Sequence, residues 1–159
     1  MKHTIRLFIL ILAWVGISFN VMAQPVADAV LGIWENSEKT GQVEIIRKDD
    51  NKYYGKLVSL KVPDDAEGKP KTDINNPDES FRQRPIIGLE MLRAFTFDGG
   101  NVWEDGKIYD PDAGKDYSCK MTLTDANTLE VRGYIGISLL GRTDVWTRSK
   151  EQAVNSAER

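Results

Sequence analysis

The chain has 159 residues, with 21 Lys plus Arg against 24 Asp plus Glu and a formal net charge of −3. That length corresponds to one domain, and the charge balance excludes a broadly basic nucleic-acid binder. One Cys excludes an internal disulfide, and one His, at position 3, leaves little room for His-based catalysis or metal ligation.

Lys2, His3 and Arg6 open the chain, and Leu7 to Phe19 is an apolar run broken only by Gly16 and Ser18. Val21-Met22-Ala23 follows with small residues at its first and third places. This order predicts a signal peptide over 1–23, cleaved between Ala23 and Gln24. The run is shorter than the roughly 20 apolar residues of a membrane span. Gln24 stands where a lipid-anchored precursor would need Cys, so the expected product is soluble, in the periplasm or the medium, and not membrane-spanning after cleavage. Cleavage removes Lys2, His3 and Arg6, leaving 19 basic and 24 acidic residues and no histidine. Ser-His-Asp and Cys-His mechanisms then lack their base, and a zinc site lacks its commonest nitrogen ligand. No cofactor or metal is implied. The expected organisation is a domain over 24–150 and a polar tail over 151–159.

From Leu31 onward short strand-like runs alternate with turn signals. Leu31 to Glu35 is the first, Gln42 to Lys48 the second, and Lys52 to Val62 a long third whose Gly55 suggests a bulge or bend. Residues 63–85 lack apolar periodicity, and a loop of that length is usually functional or mobile. Gly88 to Phe97 reads as a strand, although Leu89, Leu92 and Arg93 also suit a helical turn. Asp98-Gly99-Gly100-Asn101 is a hairpin signal. Asn101 to Glu104 and Lys107 to Asp110 are two short strands around Asp105-Gly106. Tyr117 to Thr124 and Thr128 to Ile135 alternate apolar and polar residues with period two. Arg142 to Arg148 is the last. Eight or nine strands without a long amphipathic helix predict an all-β, single antiparallel meander, closed as a barrel or folded as a sandwich.

Gly32-Ile33-Trp34 at the start of the first strand resembles the Gly-x-Trp of lipocalin-like (calycin) barrels. In those a late Arg packs on the Trp and closes one end; Arg148 is the matching candidate and Arg142 the reserve. A wider pattern combines Asn75-Asn76-Pro77-Asp78, Arg84-Pro85, Gly88-Leu89 and Gly106 to Pro111 with Gly114, Lys115 and Tyr117. It continues through Arg132 to Gly136, Gly141-Arg142-Thr143 and Trp146-Thr147-Arg148. Together these resemble the secreted bacterial family filed as domain of unknown function 2147, over about residues 30–150. The resemblance implies an exported protein with a lipocalin-like barrel and no established activity, so it supplies no catalytic residues.

Three segments carry candidate site residues. Asp73, Asn75, Asn76, Asp78 and Arg84 could hold a polar ligand or a hard cation; equally, Asx-turns around Pro77 and an Arg84–Asp pair would account for them. The segment departs from a calcium loop, with no Gly at the sixth place and Arg84 where Glu is needed. Tyr109, Asp110, Lys115 and Tyr117 could line a barrel mouth; alternatively Asp110 caps a tight hairpin and Gly114 takes positive φ. Leu139 and Leu140, in the apolar segment Ile137 to Leu140, could fold over the opening, touch a partner or lipid, or plug the barrel. Cys119 reads as a buried thiol.

These readings favour a non-enzymatic barrel that binds a small apolar or amphipathic ligand in the bacterial envelope. The alternative is a solid barrel whose 63–85 loop binds an envelope protein or a glycan. A His-independent hydrolase built on paired carboxylates is a third reading.

Overall fold

The computed structural model describes residues 27–150; the leader and the tail expected above lie outside the described residues. Eight strands run in chain order: β1 (Gly32–Glu35), β2 (Gly41–Arg47), β3 (Tyr53–Leu60), β4 (Glu90–Gly99), β5 (Val102–Asp110), β6 (Lys115–Asp125), β7 (Thr128–Tyr134) and β8 (Arg142–Arg148). Each pairs antiparallel with the next, and β1 closes on β8 through Trp34 opposite Arg148 and Glu35 opposite Thr147. The meander is therefore a closed barrel.

The two short strands expected around Asp105-Gly106 are one strand, β5. Asp105 takes φ 59°, and the β5–β6 register shifts between Trp103 and Gly106. The Asp-Gly pair is a bulge that bends the wall, not a hairpin turn, and the two signals share the same need for positive φ.

Side chains alternate across the wall as the period of two requires. Val43 and Ile45 of β2, Cys119, Met121 and Leu123 of β6, and Leu129 and Val131 of β7 all point into the core. Four large aromatics, Trp34, Tyr53, Phe95 and Trp103, are buried there, with Tyr53 edge-on to Trp103 at 6.1 Å between centroids. Two wall positions are glycine where a neighbour needs the space. A Cβ on Gly55 would stand 2.7 Å from Leu92, and one on Gly106 would run into the Phe95 ring. Leu60, Ile86, Met91 and Ile108 extend the packing towards the opposite end. An eight-stranded barrel has an interior of about the width that side chains fill, and here the buried side chains form one core cluster inside it.

One end of the barrel is closed by the 3-10 turn Ala27–Val30. Trp34 Nε1 donates to Val30 O at 2.8 Å, Trp103 Nε1 to Ala27 O at 3.2 Å, and the Tyr53 hydroxyl to Asp28 at 2.9 Å. Arg148 stacks over the Trp34 ring at 4.1 Å and donates to Leu31 O and Ala29 O at 2.8 and 2.7 Å. Arg142, the reserve for this role, sits at the other end, opposite Gly133. One residue per 3.3 Å along β8 separates the two arginines by nearly the length of the strand.

Candidate functional site

All three candidate segments come together at the end opposite the closed one: the 61–89 connection between β3 and β4, the β5–β6 hairpin, and the turn between β7 and β8. Register then divides their residues between two faces. Ile108 of β5 faces Leu92 and Tyr117, both towards the inside. Tyr109 is one residue further on and therefore points outward, opposite Asp116. The two tyrosines expected to line one mouth are on opposite faces of the wall, because they are not paired with each other. Asp110 and Lys115 pair at the hairpin end, and Asp110 Oδ1 accepts from the backbone N–H groups of Asp112 and Ala113 at 2.9 and 3.1 Å.

Tyr109 points outward yet is buried, because the 61–89 loop covers it. Asp73 is the hub of this covering and is fully buried. The Tyr109 hydroxyl donates to its Oδ1 at 2.7 Å and Asn76 Nδ2 to its Oδ2 at 2.7 Å. Arg84 adds Nε and Nη2 at 3.0 and 2.7 Å. Burial alone would raise the Asp73 pKa, but the hydrogen bonds from Tyr109, Asn76 and Arg84 outweigh it and hold the carboxyl below its usual range. The same burial, with the Asp73 charge beside it, raises the Tyr109 phenol. A second attachment lies at the hairpin, where Asn75 Nδ2 donates to Pro111 O and Asp112 O at 3.4 and 3.1 Å.

Fastened this way, the loop stands as a wall beside the outer face of β4, β5 and β6. Between them is a cleft of about 360 Å³. Asn76, Asp78, Phe81 and Arg84 line it from the loop, and Glu90, Arg93, Tyr109 and Asp116 from the strands. Asp78 caps the short turn Glu79–Phe81 by accepting from Ser80 N and Oγ at 2.9 and 2.7 Å, and these bonds lower its pKa. Glu90 is held by Lys48 at 2.5 Å and Asp116 by Arg93. Arg84 lies over the exposed Phe81 ring at 4.8 Å. Arg93 Nε is buried without a hydrogen-bond partner.

Of the candidate residues, Asn76, Asp78, Arg84 and Tyr109 meet in this cleft, while Asp110, Lys115, Tyr117, Leu139 and Leu140 do not line it. Phe81, Glu90, Arg93 and Asp116 are lining residues that sequence reasoning missed. The register shift in β4 opposite Gly55 and Lys56 puts Glu90 and Arg93 on the outer face although they are three apart, and so hides their common side from a period-two reading. A second, shallow cleft of about 390 Å³ lies along β2, lined by Asp28, Glu44, Ile46 and Arg47 among others. Among the described residues no group of three or more His, Cys, Asp or Glu could hold a metal ion, and no helix is long and apolar enough to cross a membrane. Cys119 is buried, and desolvation pushes its thiol up to about 12.

Comparison with known proteins agrees with this architecture. No curated protein matches the chain. A solved structure, protein HP1028 from Helicobacter pylori, described as belonging to the lipocalin family, superposes with a TM-score of 0.67 at 25% identity, covering 79% of this chain and 86% of that one. The family model described as an uncharacterised protein conserved in bacteria (DUF2147) matches residues 32–148, from the glycine that opens β1 to the arginine that ends β8. The chain belongs to that DUF2147 family, and its fold is a lipocalin-like barrel.

Proposed function

We propose that this protein is a non-enzymatic binding module of the bacterial envelope that holds a small saccharide in the outer-wall cleft. The observation that carries the reading is the lining: a half-exposed aromatic ring, Phe81, among Asn, Asp, Glu and Arg side chains in one cleft. A sugar presents hydroxyl groups that both donate and accept, and an apolar ring face. Carboxylates accept, guanidinium groups donate, and an amide does both. The volume is at the lower end of the range for small-molecule sites. The buried core side chains lie inside the barrel, and the cleft lies outside its wall, which supports a site on the outer face.

The carboxylates favour binding over hydrolysis. A glycosidase needs one carboxyl with a raised pKa as general acid. Asp78 is lowered by its cap, and Glu90 and Asp116 are paired with Lys48 and Arg93.

Nuclear magnetic resonance titration with a panel of envelope mono- and disaccharides tests this. Amide shifts should cluster at Asn76, Phe81, Arg93 and Tyr109, and Phe81→Ala should weaken binding by about tenfold, the loss of one stacking contact. Shifts confined to Ile108, Met91 and Tyr117 on addition of a fatty acid would instead support an apolar ligand inside the barrel, the function expected of the fold from sequence. No cleft shifts at millimolar saccharide would end the proposal.

A further inference from the structure

The turn between β7 and β8 leaves its apolar side chains in solvent. Ile135, Ile137, Leu139 and Leu140 are 74%, 61%, 80% and 78% exposed, four large aliphatics within six residues. At this exposure the turn does not plug the barrel. It is held in this posture: Arg132 Nε donates to Ser138 O at 2.7 Å, Nη2 to Leu139 O at 3.1 Å, and Nη1 to Thr143 Oγ1 at 2.7 Å. These bonds fix the 3-10 turn Ser138–Leu140 from its backbone side and leave its leucines outward. An apolar patch of this kind, held rather than buried, marks an interaction surface.

The charges around it identify the partner. Lys120 stands opposite Arg132 on the outer wall, and Lys107, opposite Ser118, donates to its hydroxyl at 3.0 Å. Arg142 is exposed directly after the turn. None of these four cations is in an ion pair among the described residues. No acidic residue occurs from Gly133 to Thr143. Of the nearby carboxylates, Asp116 is paired with Arg93, Asp144 accepts from Trp146 Nε1 at 2.7 Å, and Glu130 stands on the same outer wall, opposite Thr122.

We propose that this end of the barrel docks on an anionic phospholipid surface, with Ile137, Leu139 and Leu140 entering the acyl boundary and Lys107, Lys120, Arg132 and Arg142 over the headgroups. Exposed leucines supply the apolar contact, and basic residues beside them the attraction to acidic lipid. Residues 27 and 150 both lie at the opposite end of the barrel, near Trp103 and Arg148.

The test is flotation of the protein beginning at Gln24 with vesicles of phosphatidylcholine alone and of phosphatidylcholine with 30% phosphatidylglycerol. Binding to the acidic vesicles should be at least tenfold stronger and should fall steeply with salt. The double variant Leu139→Asp, Leu140→Asp should lose binding by more than tenfold. Lys120→Glu, which reverses a charge without touching the turn, should weaken it by about fivefold or more. Thermal melting should be unchanged for these variants, since the altered side chains lie at the surface. Equal binding to both vesicle types, or full binding by the double Asp variant, would overturn the proposal. So would a dimer in solution that the double Asp variant dissolves, because a second copy would then cover the face.

Discussion

At the closed end, ring N–H groups and a guanidinium reach backbone carbonyls of the Ala27–Val30 plug, and the aromatics there, Trp34, Tyr53 and Trp103, are also part of the core. At the loop end, a buried carboxylate gathers a tyrosine, an amide and an arginine on the outside of the wall, while the turn beyond β7 keeps its leucines in solvent. Both ends use Arg and aromatic residues, with opposite results. Arg148 sits on Trp34 and seals; Arg84 sits on Phe81, which stays half-exposed. The difference lies in what is beneath the cation: a fully buried indole in one case and a half-exposed phenyl on a surface loop in the other. Stability is concentrated where the barrel is sealed, and recognition surfaces are left where it is not.

The largest expected effect is therefore at the closed end. Trp34→Ala removes a fully buried indole, its bond to Val30 O and the platform under Arg148. Large-to-small changes of this kind cost about 3–5 kcal/mol, a large fraction of a domain's stability. Urea unfolding should show that loss as a lowered midpoint. If Trp34→Ala cost less than any loop-end variant, the division of roles between the two ends would be wrong.

Next in size is Asp73→Asn. It replaces a carboxylate that accepts from three partners by an amide with one acceptor oxygen, so Arg84 faces a donor instead of a charge. Leaving such a cluster half satisfied costs about 2–3 kcal/mol, and the cost should fall on docking of the 61–89 loop rather than on the barrel. The same carboxylate sets an acid limit. Its folded pKa lies below the unfolded value, so its contribution is complete above the ordinary carboxylate range and is lost as pH falls through the folded pKa. Protection of the loop amides, taken against the unfolded chain at the same pH, should therefore stay high in the parent protein at pH 5 and fall only in stronger acid. In Asp73→Asn protection should be low at both, and a parent loop already unprotected at pH 5 would remove Asp73 from its place as hub.

How much of this contrast was legible in the sequence follows from the range of the signals. Alternation in Tyr117–Thr124 and Thr128–Ile135, and turn residues such as Asp110 and Gly114, act over a few residues; the strands and hairpins they predict are present. The barrel with its Gly-x-Trp start was legible through family resemblance. The irregularity at Gly55 was legible from a glycine inside a strand run, and the register against β4 shifts on either side of it; the bulge at Asp105-Gly106 was not, because it carries the same local chemistry as a hairpin turn. The cleft was half legible. Asn76, Asp78 and Arg84 stand out within a polar loop, but their partners Glu90, Arg93 and Asp116 look like ordinary solvated strand residues until register places them on one face. Which side of the wall Tyr109 occupies depends on its pairing with Asp116, and no window of a few residues contains that.

The smallest effect expected separates loop docking from barrel stability most cleanly. Gly114 sits at φ +62° at the tip of the β5–β6 hairpin, and a Cβ there would run into the Asn75 carbonyl oxygen. Gly114→Ala must therefore push the loop away from the hairpin, with strain of about 1–2 kcal/mol from the left-handed backbone itself. The clash is with backbone, so a side-chain rotation cannot relieve it. Asn75 then loses its bonds to Pro111 O and Asp112 O, while the Asp73 cluster, further along the loop, keeps its own. The urea midpoint should fall only slightly, but protease cleavage within 61–89 should accelerate by more than the midpoint change implies, because a locally opened loop is cut without global unfolding. Asn75→Ala, which removes the same two bonds without the clash, should show a smaller rise in cleavage. Equal rates for the two variants would mean that the hydrogen bonds, and not the close approach allowed by glycine, fix the loop against the hairpin.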